Sequence, residues 1–217
     1  MTTLLLATRN AHKAAEIRAI LGGRFHYLTL QDVPAAPEVV EDADTFAGNA
    51  MKKASGLAEW LAVDPSRITH HASHILVLAD DSGLEVDALG GQPGVHSARF
   101  AALDIVAAGN SPDVENNAKL LRLLRDVPAE KRTARFRCVL ALVAADPQPA
   151  SRTPQLFDGV CEGRIDFRPR GANGFGYDPL FIPDGHTLSF AELGEAVKNE
   201  LSHRARALKK LRAALGV

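Results

Sequence analysis

The chain has 217 residues, 46% of them apolar, enough to build a core as one large or two modest lobes. With 25 basic and 26 acidic residues and a formal charge of -1, it excludes a long nucleic-acid tract as main partner, because a polyanion needs a basic face; a small phosphorylated ligand needs only a few cations. Cys138 and Cys161 have neither metal nor redox spacing, and two cysteines fit a reducing compartment, with the cytoplasm expected, better than a disulfide scaffold. The apolar run Leu4-Leu5-Leu6-Ala7 is too short for a signal peptide, and no segment approaches a membrane span.

Thr3 to Ala7 reads as a first strand, followed by the loop Thr8-Arg9-Asn10-Ala11-His12-Lys13 and a helix with Ile17, Ile20 and Leu21 at helical spacing and Gly22-Gly23 as its stop. This start predicts an α/β fold. It also aims free helix N–H groups at whatever sits there, which suits a phosphate, with Lys13 adding a charge one turn in. The alternative is an ordinary cap by Thr8 or Asn10 with Lys13 solvated. Phe25 to Leu30 reads as a second strand. After Pro34, Pro37 and the acidic run Glu41-Asp42-Ala43-Asp44, Asp44 or Thr45 opens a helix whose apolar stripe is Phe46, Ala50, Ala54, Leu57, Ala58 and Leu61. Lys53 on this helix faces either the edge of a cleft or, with Lys52, plain solvent. From Ala62 to His74 the pattern is irregular. His70, His71 and His74 fit a surface loop better than a metal site, since adjacent side chains on a regular element cannot point the same way.

Ile75 to Ala79 is a short apolar strand that feeds Asp80-Asp81-Ser82-Gly83-Leu84-Glu85-Val86-Asp87. Adjacent carboxylates repel, so a cation or a proton is expected between them, and a divalent metal site is the natural candidate. An acidic turn capping the strand explains the same residues. Further on, a turn-rich loop at Leu89 to Gly94 leads to Ser97-Ala98-Arg99-Phe100, where Arg99 is a candidate phosphate or carboxylate partner. Val114 to Leu124 predicts a helix, Arg135 to Ala144 a central strand, and Gln155 to Phe167 further strands around Gly159 and Gly163. Gly171-Ala172-Asn173-Gly174-Phe175-Gly176-Tyr177-Asp178-Pro179 sets three glycines around two aromatics. Exposed, Phe175 or Tyr177 would offer a flat face for a nucleobase; a tight hairpin with core aromatics is the other explanation. Lys198 through Leu215 predicts one periodic helix with Leu201, Leu208, Leu211 and Leu215 inward and Lys198, Ser202, His203 and Arg204 at its entrance. No internal repeat is present, so one α/β chain around a central cleft is expected, with two lobes as one arrangement.

Six ordered motifs carry a resemblance that runs nearly end to end: Thr8-x-Asn10-x-x-Lys13, Thr45-Phe46-x-x-Asn49-Ala50 with Lys53, Ala79-Asp80-Asp81-Ser82-Gly83-Leu84, Pro93-Gly94-x-x-Ser97-Ala98-Arg99, Gly174-Phe175-Gly176-Tyr177-Asp178-Pro179, and Ser202-His203-Arg204. On these the chain resembles the inosine/xanthosine triphosphate pyrophosphatase family, enzymes that hydrolyse non-standard purine nucleoside triphosphates. The resemblance implies a long mixed β-sheet with helices in two lobes around a central active-site cleft, residues 1–217 forming one such domain, and a homodimer. It implies cleavage between the α- and β-phosphates of ITP, dITP or XTP, with Mg²⁺ and an activated water. Asp81 matches the proton acceptor and metal partner, with Asp80 and Glu41 as further metal ligands. Thr8, Asn10, Lys13 and Lys53 would hold the phosphates and Ser82 the same ligand. Phe175, within the loop that includes Gly176 and Tyr177, would stack on the purine, and Asp178, Lys198, His203 and Arg204 would read its edge. A pyrophosphatase for other modified nucleotides and a non-catalytic nucleotide-binding regulator are the competing classes.

The chain departs from the family pattern at Gly48, where an acidic residue is usual. That removes a carboxylate from the metal region and is expected to weaken the helix by roughly 0.5–1 kcal/mol relative to Ala. Ala62 to His74 and Ala101 to Pro112 are longer than the family pattern and are expected as enlarged surface loops.

Overall fold

The computed structural model describes residues 2–68, 74–104, 109–148 and 152–216. His70 and His71 lie outside the described residues, as does part of the Ala101 to Pro112 extension, whereas His74 is exposed just before a strand. Among the described residues, six strands and five α-helices follow one another as β1 (Thr3–Leu6), α1 (Ala11–Leu21), β2 (His26–Thr29), α2 (Phe46–Val63), β3 (Ile75–Val86), α3 (Asp113–Leu123), β4 (Thr133–Ala144), β5 (Gln155–Ile165), β6 (Phe181–Pro183), α4 (Phe190–Leu201) and α5 (His203–Leu215).

The strands form one sheet in the order β2-β1-β3-β4-β5-β6. β1 runs parallel to β2, with Thr3 opposite His26, and parallel to β3, with Thr3 opposite Ile75. β6 runs antiparallel to β5, with Gly163 opposite Pro183, so the sheet is mixed and the fold is α/β, as expected. Leu4, Leu5 and Leu6 are all fully buried, the continuous apolar run of a parallel strand covered on both faces.

Two compact units divide the chain: Met1–Asp81, Cys138–Asp158 and Ala207–Val217 form the first, and Ser82–Arg137 and Gly159–Arg206 the second. The first packs Leu4, Leu6, Ile17, Leu21, Leu78, Leu140, Leu208 and Leu211 into its core. The second is built around aromatics, with Phe136 and Phe181 ring centroids 4.6 Å apart and Phe181 and Phe190 5.3 Å apart, near Leu84, Leu120 and Leu180.

Three elements differ from expectation. The strand expected to stop at Ala79 continues to Val86, so the acidic motif is inside β3 and not in a turn; ion pairs at Asp80 and Asp81 make this compatible with burial. The segment Gln155 to Phe167 is a single strand, β5, ending at Ile165. The single C-terminal helix is broken at Ser202, whose extended backbone (φ -66°, ψ 162°) caps α4 through its N–H to Lys198 O while its Oγ accepts from Ala205 N in the first turn of α5. The break places His203 and Arg204 at a helix start, and Leu201 and Leu215 are half-buried where Leu208 and Leu211 are fully buried.

α2 begins with Thr45, whose Oγ1 accepts from Gly48 N at 3.0 Å. A Cβ on Gly48 would stand 2.7 Å from the Ala43 Cβ and 3.1 Å from Thr45 Oγ1. The segment carrying Glu41 therefore packs onto the helix where only glycine fits, and the expected penalty relative to Ala does not apply, because Ala could not occupy this position without displacing that segment. Gly48→Ala is expected to lose about 1–3 kcal/mol in urea denaturation by overpacking; a gain in stability would show that residues 41–45 yield freely.

Candidate active site

The sequence-predicted residues fall into two groups, one in each unit. In the first unit, β1 delivers the chain to Thr8, whose Oγ1 accepts from Asn10 N at 3.0 Å; Asn10 Oδ1 in turn accepts from Lys13 N at 3.1 Å and caps α1. The capping expected as an alternative to ligand binding is thus realised. It involves Asn10 Oδ1 and leaves the amide's donor atom uninvolved in the cap. Lys13 is not simply solvated: its Nζ donates to Asp80 Oδ1 at 2.6 Å.

Lys53 is the centre of this group. It projects from the apolar stripe of α2, is buried, and its Nζ donates to Glu41 Oε2 at 2.9 Å, Asp80 O at 2.9 Å and Asp81 Oδ1 at 3.0 Å. An ammonium has three N–H donors, and all three have protein acceptors. Lys53 is therefore seen holding carboxylates in place, a different task from the phosphate contact expected of it.

Asp80 and Asp81 do not form one ligand pair. Successive strand side chains point to opposite faces, and their partners differ accordingly. Asp80 meets Lys13 through Oδ1 and the Cys138 Sγ through Oδ2, the latter at 3.4 Å. Asp81 meets Lys53 and, through Oδ2, the Asn49 Nδ2 at 3.3 Å. Asn49 lies in the Thr45-Phe46-x-x-Asn49-Ala50 motif. It is 1% exposed, and its Oδ1 accepts from Ala43 N, so one amide ties the Glu41 segment to Asp81. A buried Asn on the otherwise apolar face of α2 was the signal in the sequence.

Glu41 and Asp81 are thus brought together on the one Lys53 ammonium. Burial alone would raise Glu41, but the charge and hydrogen bond of Lys53, with the Asp81 contact, hold it below its ordinary value. Asp81 behaves oppositely. Burial pushes it up to about 6 against the pull of Lys53 and Lys13, with Glu41 adding to the rise. A carboxylate that gives up its proton near neutral pH is suited to general-base work. Among the described residues no three His, Cys, Asp or Glu side chains gather as a metal cage. Glu41 and Asp81 nonetheless fit a hard divalent cation of the Mg²⁺ type, which takes one or two carboxylates and completes its shell with water and phosphate oxygens. Asp80, with both oxygens engaged elsewhere, stands outside that pair.

In the second unit, Ser82 Oγ accepts from Arg204 Nη2 at 2.9 Å. Asp178 Oδ2 accepts from Lys198 Nζ at 2.6 Å and from Phe175 N at 2.9 Å. The Phe175 ring is half-buried and has the Lys198 Nζ 4.4 Å and the Arg204 guanidinium carbon 5.8 Å from its centroid. A base laid on this ring would meet two cations, both hydrogen-bond donors. His203 is buried and stacks on Phe136, centroids 4.8 Å apart and planes 14° apart. Tyr177 does not offer a flat face. It is a core residue, 4% exposed, with its hydroxyl donating to Ser97 O at 2.9 Å and pushed up beyond its ordinary range by burial. Tyr177 is a core aromatic, as the competing explanation expects, and the half-buried Phe175 is the more accessible of the two.

A model of the Ham1 family matches residues 4–214. The dITP/XTP pyrophosphatase of Shouchella clausii is 46% identical over 213 residues, covering 98% of this chain and 96% of the relative. The protein of the same name from Geobacter sulfurreducens is 46% identical over 217 residues, covering 100% and 98%. Among solved structures, a HAM1 protein from Coxiella burnetii matches with a TM-score of 0.79 at 34% identity, covering 100% of this chain and 99% of that one.

The carboxyl carbon of Asp81, followed by NMR, is expected to titrate near pH 6 instead of the ordinary carboxylate range, with Glu41 titrating below its own. Because the Lys53 charge lowers Asp81, Lys53→Gln is expected to move that midpoint upward; an unmoved midpoint would remove Lys53 as the holding charge.

Proposed function

This chain belongs to the Ham1 family, and from that membership and its two groups of side chains we propose that it hydrolyses the non-standard purine nucleoside triphosphates ITP, dITP and XTP to the monophosphate and pyrophosphate. The single observation that carries the chemistry is Asp81, a buried carboxyl held by Lys53 and Asn49 and poised near neutrality. Its carboxylate accepts the proton of the water that attacks between the α- and β-phosphates. Asn49 and Lys53 fix its two oxygens, so the base is oriented before substrate arrives. Thr8, Asn10 and Lys13 hold the phosphates, Lys13 exchanging part of its contact with Asp80 for a phosphate oxygen.

Glu41 and Asp81 would hold Mg²⁺, which when bound neutralises phosphate charge and acidifies the attacking water. At the base, Phe175 stacks, Asp178 orients Lys198, and donors from Lys198, His203 and Arg204 meet the oxygen at purine C6. Hypoxanthine and xanthine carry an acceptor there and adenine an amino donor. An unpaired polar group costs about 1–3 kcal/mol, which is tenfold to a hundredfold per contact. We place the protein in the cytoplasm as a homodimer, a reading supported by its two buried free thiols for the compartment and by family resemblance for the assembly. No helix among the described residues is long and apolar enough to cross a membrane.

Pyrophosphate release is expected to be Mg²⁺-dependent and strong for ITP, dITP and XTP and weak for ATP and the pyrimidine triphosphates; a flat panel would sink the proposed selectivity. Asp81→Asn is expected to retain nucleotide binding and nearly abolish turnover. The sign of the pH dependence follows from the raised Asp81: the base is lost as pH falls through about 6, so kcat/KM should fall on that acid limb. Phe175→Ala is expected to raise KM by the equivalent of about 1–3 kcal/mol of lost stacking; an unchanged KM would remove its role.

A further inference from the structure

The helix α3 carries no role in the proposed chemistry, yet two of its side chains grip the backbone of the aromatic loop. Gly176 N donates to Asp113 Oδ2 at 2.6 Å, and Gly176 O accepts from Asn117 Nδ2 at 3.0 Å. Asp113 and Asn117 are four residues apart, hence on one face of the helix. Gly176 is held at φ 62°, a left-handed conformation that glycine adopts freely, and both polar groups of this one residue are clamped by the same helix. The residue before it is Phe175, whose own N–H is fixed by Asp178 and whose ring lies beside Lys198 and Arg204.

A purely structural explanation fits Asn117 poorly. It is 8% exposed, and its Oδ1 is buried with no hydrogen-bond partner among the described residues, which costs stability that an apolar residue of similar size would avoid. What the amide supplies is the donor to Gly176 O. Asp113 in the first turn of α3 also favours the helix dipole, but Glu115 supplies a carboxylate to the same turn without a contact to Gly176.

We propose that Asp113 and Asn117 are positioning residues that set purine affinity and base selectivity by fixing Gly176 and, through it, the Phe175 ring, an inference that rests on the nucleotide-hydrolysing reading above. Neither touches the reacting phosphates. Their loss therefore acts on KM and on the ratio of ITP to ATP turnover, and leaves kcat for ITP in place.

The test compares Asp113→Ala, Asp113→Asn, Asn117→Leu and Glu115→Ala with wild type in steady-state kinetics on ITP and ATP, in calorimetric titration with inosine monophosphate, and in thermal unfolding. Asp113→Ala and Asn117→Leu are expected to raise KM for ITP and weaken inosine monophosphate binding roughly tenfold, the loss of one hydrogen bond, with kcat little changed. Asp113→Asn, which keeps an acceptor for Gly176 N, should recover most of the affinity, and Glu115→Ala should match wild type. Asn117→Leu, having lost an unpaired buried oxygen, should unfold at or above the wild-type Tm. Wild-type KM and selectivity in Asp113→Ala and Asn117→Leu, or a fall in kcat that simply tracks a lowered Tm, would overturn the inference alone. Wild type that binds inosine monophosphate without hydrolysing ITP would overturn the hydrolytic reading, and the binding series would still decide the positioning role. Wild type that does neither overturns both.

Discussion

One buried ammonium organises the acidic centre. Lys53 is removed from water at a cost that only neighbouring negative charge can offset, and Glu41 and Asp81, with the Asp80 carbonyl, provide it from three sides. Burial would lower Lys53, but the two carboxylates outweigh it and raise it, so it stays charged. A single cation cannot hold two carboxylates down equally. Glu41, half outside at 40% side-chain exposure, keeps a lowered value, while the more deeply buried Asp81 at 9% takes the rise. The asymmetry between one carboxyl pushed toward neutrality and a neighbour held low thus follows from burial and from the shared lysine.

That centre explains why α2 and the segment before it pack so closely. Asn49 joins Ala43 N to Asp81, Lys53 joins Glu41 to Asp81, and Gly48 removes the side chain that would keep residues 41–45 away. The glycine that departs from the family pattern is, in this chain, a packing partner of Ala43. Its missing carboxylate leaves Glu41 and Asp81 as the pair able to meet a cation, consistent with an ion that draws most of its ligands from water and phosphate.

Much of the architecture was legible in the sequence because local signals agreed with burial. The apolar run at Leu4–Leu6, the stripe from Phe46 to Leu61 and the alternation after Arg135 each specify an element that tertiary packing then retains. The misread elements have a common cause. Asp80-Asp81 looks like a strand end because charge is costly inside a sheet, but Lys13 and Lys53 arrive from α1 and α2, 67 and 28 residues away in the chain, and neither pairing has a local signature. Ser202 looks like an acceptable helix residue, and only its double use as the end of α4 and the cap of α5 breaks the periodic run. The split of the acidic pair onto two partner sets was likewise out of reach until the continuation of β3 fixed the alternation of its side chains.

The loop at residues 174–178 owes its conformation to partners outside its own motif as much as to its glycines. Its two aromatics look equivalent in sequence, yet Tyr177 belongs to the core and anchors the loop through Ser97 O, which leaves Phe175 the less buried of the two. Glycine permits the turn but does not select one conformation; that requires partners outside the motif. Asp178 fixes the Phe175 N–H, and Asp113 and Asn117 fix both polar groups of Gly176. A flat ring held by hydrogen bonds on the residue itself and on the next gives up little conformational freedom when a base stacks on it, so more of the stacking energy remains for discrimination at the base edge. On the proposed function, specificity in this part of the chain would be as much a property of α3, which no motif marks, as of the donors that would meet the purine.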